Sequence, residues 1–264
     1  MSGSMPRSDL IALAVAAFAA APLAADPARV VSINLCTDQL AMLLAAPEQL
    51  VSISWIARDP LSSAMAEEAM GWPVNHGQAE EVFMLHPDLV LAGTYTTRAT
   101  VEMLERLGIP VIQFAPVNSL AEARQAILDT GAALGRDEAA AAMAAEFDAT
   151  LARLTALVPA GEGPTAAFYF ANGYTSGAGS MSGELMQLAG FRNITDDGPL
   201  AGRWRLALEE LVLAGPDFIV TGETYPGRSN AEDLLRHPVL SEIMQTRDGI
   251  GLSDADWVCG APHV

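Results

Sequence analysis

The side chains best suited to gripping a small molecule are six rings and a few guanidiniums. Trp55, Tyr95, Tyr174, Trp204, Tyr225 and Trp257 all fall in loops just beyond apolar runs that read as strands. The chain has only 4 Trp and 4 Tyr, so three of each in such loops is a concentration. Large amphipathic rings at loop tips expose apolar area to water, which a cleft or a ligand would cover. Arg58, Arg98 and Arg203 share those loops and suit an anionic ligand. Taken singly, each of these residues also reads as a loop anchor packed on its own lobe. Catalytic patterns are missing. There is no Gly-x-Ser-x-Gly elbow, His-x-x-x-His pair or dinucleotide glycine pattern. The glycine-rich stretch 171–180 lacks the Gly-Lys-Ser/Thr of a phosphate loop, though it can offer backbone amides. An enzyme on an α/β scaffold is therefore the weaker alternative. A bare-metal site is weaker still. Of the 4 His, His86 and His237 precede prolines, His263 is terminal, and only His76 sits near the other candidates. No metal site and no cofactor are expected.

The elements that must position these loops show an internal repeat. Residues 80–93 read EEVFMLHPDLVLAG, and 129 residues later, without a gap, 209–222 read EELVLAGPDFIVTG. Both copies keep two glutamates, a Pro-Asp pair and a final glycine. The grammar predicts a helical turn led by carboxylates, a Pro-Asp break, a buried strand, and a sharp turn at Gly93 or Gly222. Two similar α/β lobes explain such a match better than chance. Around the first copy the order of elements is that of a mostly parallel sheet covered by helices. Helix is expected over 62–70, loop over 73–78, loop over 191–204, and a last strand over 250–252. Between the lobes, Ser119 and Glu122 form a capping box that opens one helix. A second helix should run from about Asp137 to Val158. It should bury Ala140, Met143, Phe147, Leu151, Leu154 and Val158 on one face. At roughly 1.5 Å per residue it would be a rod of about 33 Å, long enough to brace both lobes.

Bulk properties bound the rest. The chain has 264 residues, 51% hydrophobic, enough for two α/β lobes with proper cores. Its formal net charge is −18, from 32 acidic and 14 basic side chains, so nucleic acid and anionic lipid are excluded as partners. Residues 1–25 read as a secretory signal peptide, with Arg7 before a short apolar run and small residues before Asp26. That places the mature chain in an oxidising compartment. The chain's two cysteines, Cys36 and Cys259, each follow a strand end on the cleft side, one per lobe. A disulfide between them would close a loop of about 220 residues, for which the entropic model gives about 5 kcal/mol. Two separate thiols, one at a helix start and one beneath Trp257, remain the alternative.

Several of these stretches together resemble one family. They are RVVSINLCTDQLAMLLA, LGIPVIQF, YTSGAG before MSGELMQLAGFRN, and the two Glu-x6-Pro-Asp units. From about Arg29 onward the chain resembles periplasmic substrate-binding proteins of the iron-siderophore/cobalamin group, which serve ATP-binding-cassette (ABC) importers. The resemblance implies an α/β fold of class III, with two Rossmann-like lobes joined by a single long rigid helix. The division would be a leader over 1–25, an N-terminal lobe over 26–118, helices over 119–160 and a C-terminal lobe over 161–264. The group usually continues into a final helix, whereas this sequence stops at Val264, which reads either as a truncation or as the absence of that helix. The resemblance also implies a monomer that holds a metal chelate between the lobes and docks on a permease dimer in the inner membrane. Glu80 and Glu209, expected at helix starts on the far side of their units from the ligand-facing strand ends, would meet arginines of the two permease subunits. A ferric siderophore or related iron complex is the expected cargo, with cobalamin or haem as alternatives.

Overall fold

The computed structural model describes residues 26–222, 227, 229–246 and 248–259. The leader expected over 1–25 and the ring of Tyr225 lie outside the described residues.

The first sheet takes β1 (Val30–Ser32), β2 (Leu50–Ser54), β3 (Val74–Asn75), β4 (Leu89–Gly93) and β5 (Val111–Phe114), in the order β3-β2-β1-β4-β5. Every neighbouring pair is parallel. The connecting helices are α1 (Leu35–Leu44), α2 (Ala79–Met84) and α3 (Arg98–Arg106). Strand alternation feeds two cores. Val30, Leu89 and Leu91 pack with α1 on one face. Val31, Val90 and Ala92 pack with Val82 of α2 and Leu104 of α3 on the other. Burial on both faces is why these strands read as unbroken apolar runs.

Next come α4 (Leu120–Leu134) and α5 (Asp137–Thr155), an antiparallel helical pair. Ser119 Oγ accepts from the Glu122 amide at 3.1 Å, while the Glu122 carboxylate reaches past it to the Asn118 amide at 2.7 Å. Gly135 closes α4 in the left-handed region, φ 68°. Arg124 of α4 pairs with Asp148 of α5 at 2.8 Å. The second helix ends three residues short of the expected Val158. Leu154, expected inside, is 48% exposed. The inward face is carried by Ala140, Ala144 and Phe147, with Met143 and Leu151 packed beside them.

The second sheet takes β6 (Thr165–Phe168), β7 (Arg192–Asn193), β8 (Phe218–Gly222) and β9 (Asp248–Leu252), all parallel, in the order β7-β6-β8-β9. Its helices are α6 (Met181–Leu188), α7 (Leu208–Ala214), α8 (Pro238–Thr246) and α9 (Asp254–Trp257). The repeat is preserved in space. Ala79 and Leu208 open corresponding helices, and β4 and β8 occupy equivalent places beside β1 and β6.

Three local expectations change. Residues 62–70 form turns and a 3-10 turn at Glu68–Gly71 instead of a helix. There Asp59 accepts from the Leu61 amide and the Ser62 hydroxyl, and Ser63 Oγ accepts from the Met65 amide. Such side-chain bonds compete with the helical ladder. The expected loops over 73–78 and 191–204 contain the two-residue strands β3 and β7, too short to carry a period. Gly93 and Gly222 are absent from the positive-φ residues. Gly93 serves close approach instead: a Cβ there would lie 2.8 Å from Asn34 Nδ2.

Candidate functional site: the carboxyl edges of the two sheets

In each sheet the strand order reverses beside the central strand, between β1 and β4 and between β6 and β8. Open parallel sheets bind ligands at such switch points, beyond the carboxyl ends of the strands. On the first sheet, Trp55 follows β2 directly and is 53% exposed, and Tyr95 follows β4 and is 88% exposed. Asn34 follows β1 at the same edge. Its side-chain oxygen caps α1 by accepting from the Cys36 and Thr37 amides at 3.1 and 3.4 Å. Arg58 is turned away from solvent, its guanidinium donating to the carbonyls of Ala69 and Trp72. It anchors the loop that carries Trp55. Arg98 pairs with Glu102 at 2.6 Å on α3.

On the second sheet the chain brings two candidates together, Tyr174 and Trp204, and adds Arg205. Tyr174 pairs as an antiparallel bridge with Arg205. This sets Tyr174 and Trp204 side by side, ring centroids 5.8 Å apart, 42% and 68% exposed. The Arg205 guanidinium lies over the Tyr174 ring at 5.3 Å and donates twice to the Asn172 carbonyl. Sequence reasoning missed Arg205; its adjacency to Trp204 was the available signal. Arg203 is half exposed and 3.4 Å from Glu210. Trp257, expected among these rings, is partly buried and stands apart from them in the described contacts. It stacks on Phe170, which stacks on Phe168, at 5.6 and 5.5 Å. It lines an apolar groove of about 290 Å³ on the face of the sheet, with Phe191, Phe218, Ile250 and Leu252. The physical reason is the run of apolar partners that β6, β8 and β9 present there.

Cys36 and Cys259 are joined as a disulfide, Cα atoms 5.0 Å apart. Close by in sequence, Asp38 of α1 is fully buried. It accepts from the Ser54 amide at 3.1 Å and from the Ser54 hydroxyl. Burial pushes its carboxyl up to about 7, against the lowering effect of hydrogen bonds from Ser32 and Ser54. Ser54 immediately precedes Trp55, so Asp38 fastens the strand end that presents that ring.

Glu80 and Glu209 lie exposed in the first turns of α2 and α7. In each copy the second glutamate is tied back. Glu81 accepts from the His76 amide at 2.7 Å, and Glu210 from the Ala207 amide at 2.9 Å. Both helices start at the carboxyl edge of their sheet, since α2 follows β3 and Leu206 bonds the Gly173 carbonyl beyond β6. The two free carboxylates therefore share an edge with the exposed rings. A helix start on the far side, as the repeat alone suggests, is ruled out by this connectivity.

Solved structures share this fold. An iron-binding, periplasmic solute-binding protein from Staphylococcus epidermidis, so described as possible, superposes with a TM-score of 0.69 at 17% identity, over 90% of this chain and 94% of that one. A periplasmic heme-binding protein from Roseiflexus sp. RS-1 gives 0.68 at 22%, over 89% and 92%. The periplasmic vitamin B12 binding protein of Vibrio cholerae gives 0.64 at 18%, over 90% and 92%. The shared architecture is the two-sheet α/β fold of class III. No curated protein matches the chain. The family described as "Periplasmic binding protein" matches residues 30–248. With the whole first sheet, the helical pair and strands β6 to β8 of the second sheet inside that match, the chain belongs to the periplasmic binding protein family.

Proposed function

We propose that this chain is the substrate-binding protein of an ABC importer. It captures a metal chelate, a ferric siderophore or related iron complex, between its lobes and delivers it to a permease dimer in the inner membrane. Its place of work is the periplasm, reached through the leader over 1–25. The observation that carries the reading is the Tyr174–Trp204 pair with Arg205 against it. Two rings left this open, beside a cation, suit a large ligand with a flat or apolar body and anionic groups. Trp55 and Tyr95 supply the corresponding rings of the first lobe, Arg203 a second cation, and Tyr225 remains a candidate beside them. Among the described residues no three of His, Cys, Asp or Glu converge as metal ligands. A chelate, which brings its own donors, is the form in which we expect a metal at this edge.

The test is quenching of tryptophan fluorescence by a panel of ferric siderophores, haemin and cobalamin, with the bound compound recovered afterwards. One class should bind and return unchanged. Trp204→Ala and Tyr174→Ala should each weaken that binding by roughly 1–3 kcal/mol, with little change in the melting temperature of the free protein. Loss of stability with unchanged affinity would make both rings structural, and chemical conversion of the compound would favour an enzyme.

A further inference from the structure

Besides the chain that passes from α5 to β6, two features tie the halves of the molecule together. On one side Met181 of α6 is buried in the core built from α1, α4 and α5, with Leu185 and Leu188 packed beside it. There too the Glu184 carboxylate accepts from the Leu120 amide at 2.8 Å, so α6 also caps α4. The other connection is covalent. Trp257 is wedged against the second sheet by its stack on Phe170. Two residues later, buried Cys259 is bonded to Cys36 in the first turn of α1, which packs on the first sheet. Two residues of extended chain reach at most about 7 Å. The lobes can therefore not separate there by more than a few ångströms without pulling Trp257 from its stack or breaking the disulfide.

We propose that Trp257, Cys259 and Cys36 form a strap that fixes the spacing of the lobes beside α1, so that the width of the cleft responds to thiol reduction. With the strap closed, the lobes can only rotate about a line through the two connections. With it open, the Met181–Glu184 contact and the chain passing from α5 to β6 still join the lobes, but their spacing beside α1 is no longer fixed and the cleft samples wider states. Opening is a thiol–disulfide exchange. A dithiol attacks the Cys36–Cys259 bond, forms a mixed disulfide with one cysteine and releases the other as a thiol. Its second sulfur then displaces the remaining cysteine, leaving two protein thiols and a cyclic disulfide; the hydrogens on the new thiols come from the reductant. Cys36, the more exposed partner, offers the approach.

The experiment needs no ligand, so it stands or falls apart from the transport reading. Nitroxides are attached through a keto-bearing unnatural amino acid at Met103 and Leu213, exposed positions on opposite sheets' helices. Pulsed electron resonance then gives the distribution of distances between the lobes. The oxidised protein should give one narrow distribution. Dithiothreitol, with circular dichroism showing the fold retained, should broaden it at least twofold. Trp257→Ala should broaden it to a similar extent with the disulfide intact, because the strap loses its seat. Cys36→Ser/Cys259→Ser should match the reduced protein. Unchanged widths after reduction, with mass spectrometry showing two free thiols, would overturn the proposal, as would two free thiols in the protein as secreted.

Discussion

His86 and Gly215 hold the same place in the two copies of the repeat, and both lie in the left-handed region, at φ 50° and 56°. Each comes just before the Pro-Asp pair. The Asp then ties down the start of the neighbouring central strand. Asp88 accepts from the Arg29 amide at 3.0 Å, and Asp217 from the Thr165 amide at 2.9 Å. The shared Pro-Asp was legible as a helix stop, but the bond it makes to β1 or β6 joins distant residues and left no trace in local pattern. Gly215→Ala should destabilise the protein by about 1 kcal/mol, the cost of a Cβ in this region. Gly251→Ala, at negative φ with open space around its Cβ position, should cost far less. Urea unfolding of the two variants checks the difference; equal costs would mean the left-handed turn at 215 is not under this constraint. The candidate rings divide in the same way. A ring after a strand end was readable as a loop residue. Whether it stays open, like Trp204, or turns under its own sheet, like Trp257, depends on Phe168 and Phe170 meeting it across the fold.

At the scale of elements, α1 carries the most unusual group. Asp38 lies in the first turn, where a carboxylate suits the helix dipole, yet it is buried and holds the end of β2. Unfolded, its carboxyl ionises at the ordinary value of 3.8; folded, at about 7. Between those values the folded chain keeps a proton that the unfolded chain has released, so raising the pH through that window removes stability. Asp38→Asn abolishes this loss. The stability of the variant relative to the native protein should therefore rise from pH 4 to pH 7 and level off above. Urea midpoints across that range test it, and a constant difference would show that Asp38 does not titrate there. The apolar runs of β1, β4, β6 and β8 and the cap at Ser119 were readable because they are local or periodic. Strands β3 and β7 were not, because two residues carry no period. The turn over 62–70 was hidden because Asp59 and Ser63 act through side chains on composition that otherwise suits a helix.

At the scale of the whole molecule, the gapless repeat announced two lobes, and two parallel sheets with matching strand orders are what it encodes. The way the lobes are joined was less legible. Both helices of the pair were expected, and a Cys36–Cys259 disulfide was one of two alternatives; the buried contact through Met181 of α6 was not foreseen. Reading the repeat alone put each glutamate on the far side of its unit from the ligand-facing strand end; the edge is set by the strand preceding the helix, which the repeat does not include. In the docking proposed above, Glu80 and Glu209, exposed at the carboxyl edges of the two sheets, offer the permease one carboxylate from each lobe. Replacing both glutamates with alanine should abolish uptake while leaving chelate affinity nearly unchanged. Single replacements should do less, because exposed ion pairs are individually weak. Uptake by the double variant at the native rate would dismiss the docking role. The most direct test of chelate capture is a crystal structure with the tightest-binding member of the panel. The chelate should contact Trp55 or Tyr95 from one lobe together with Tyr174 or Trp204 from the other. A chelate seated instead in the apolar groove against Trp257, or touching one lobe alone, would contradict capture between the carboxyl edges.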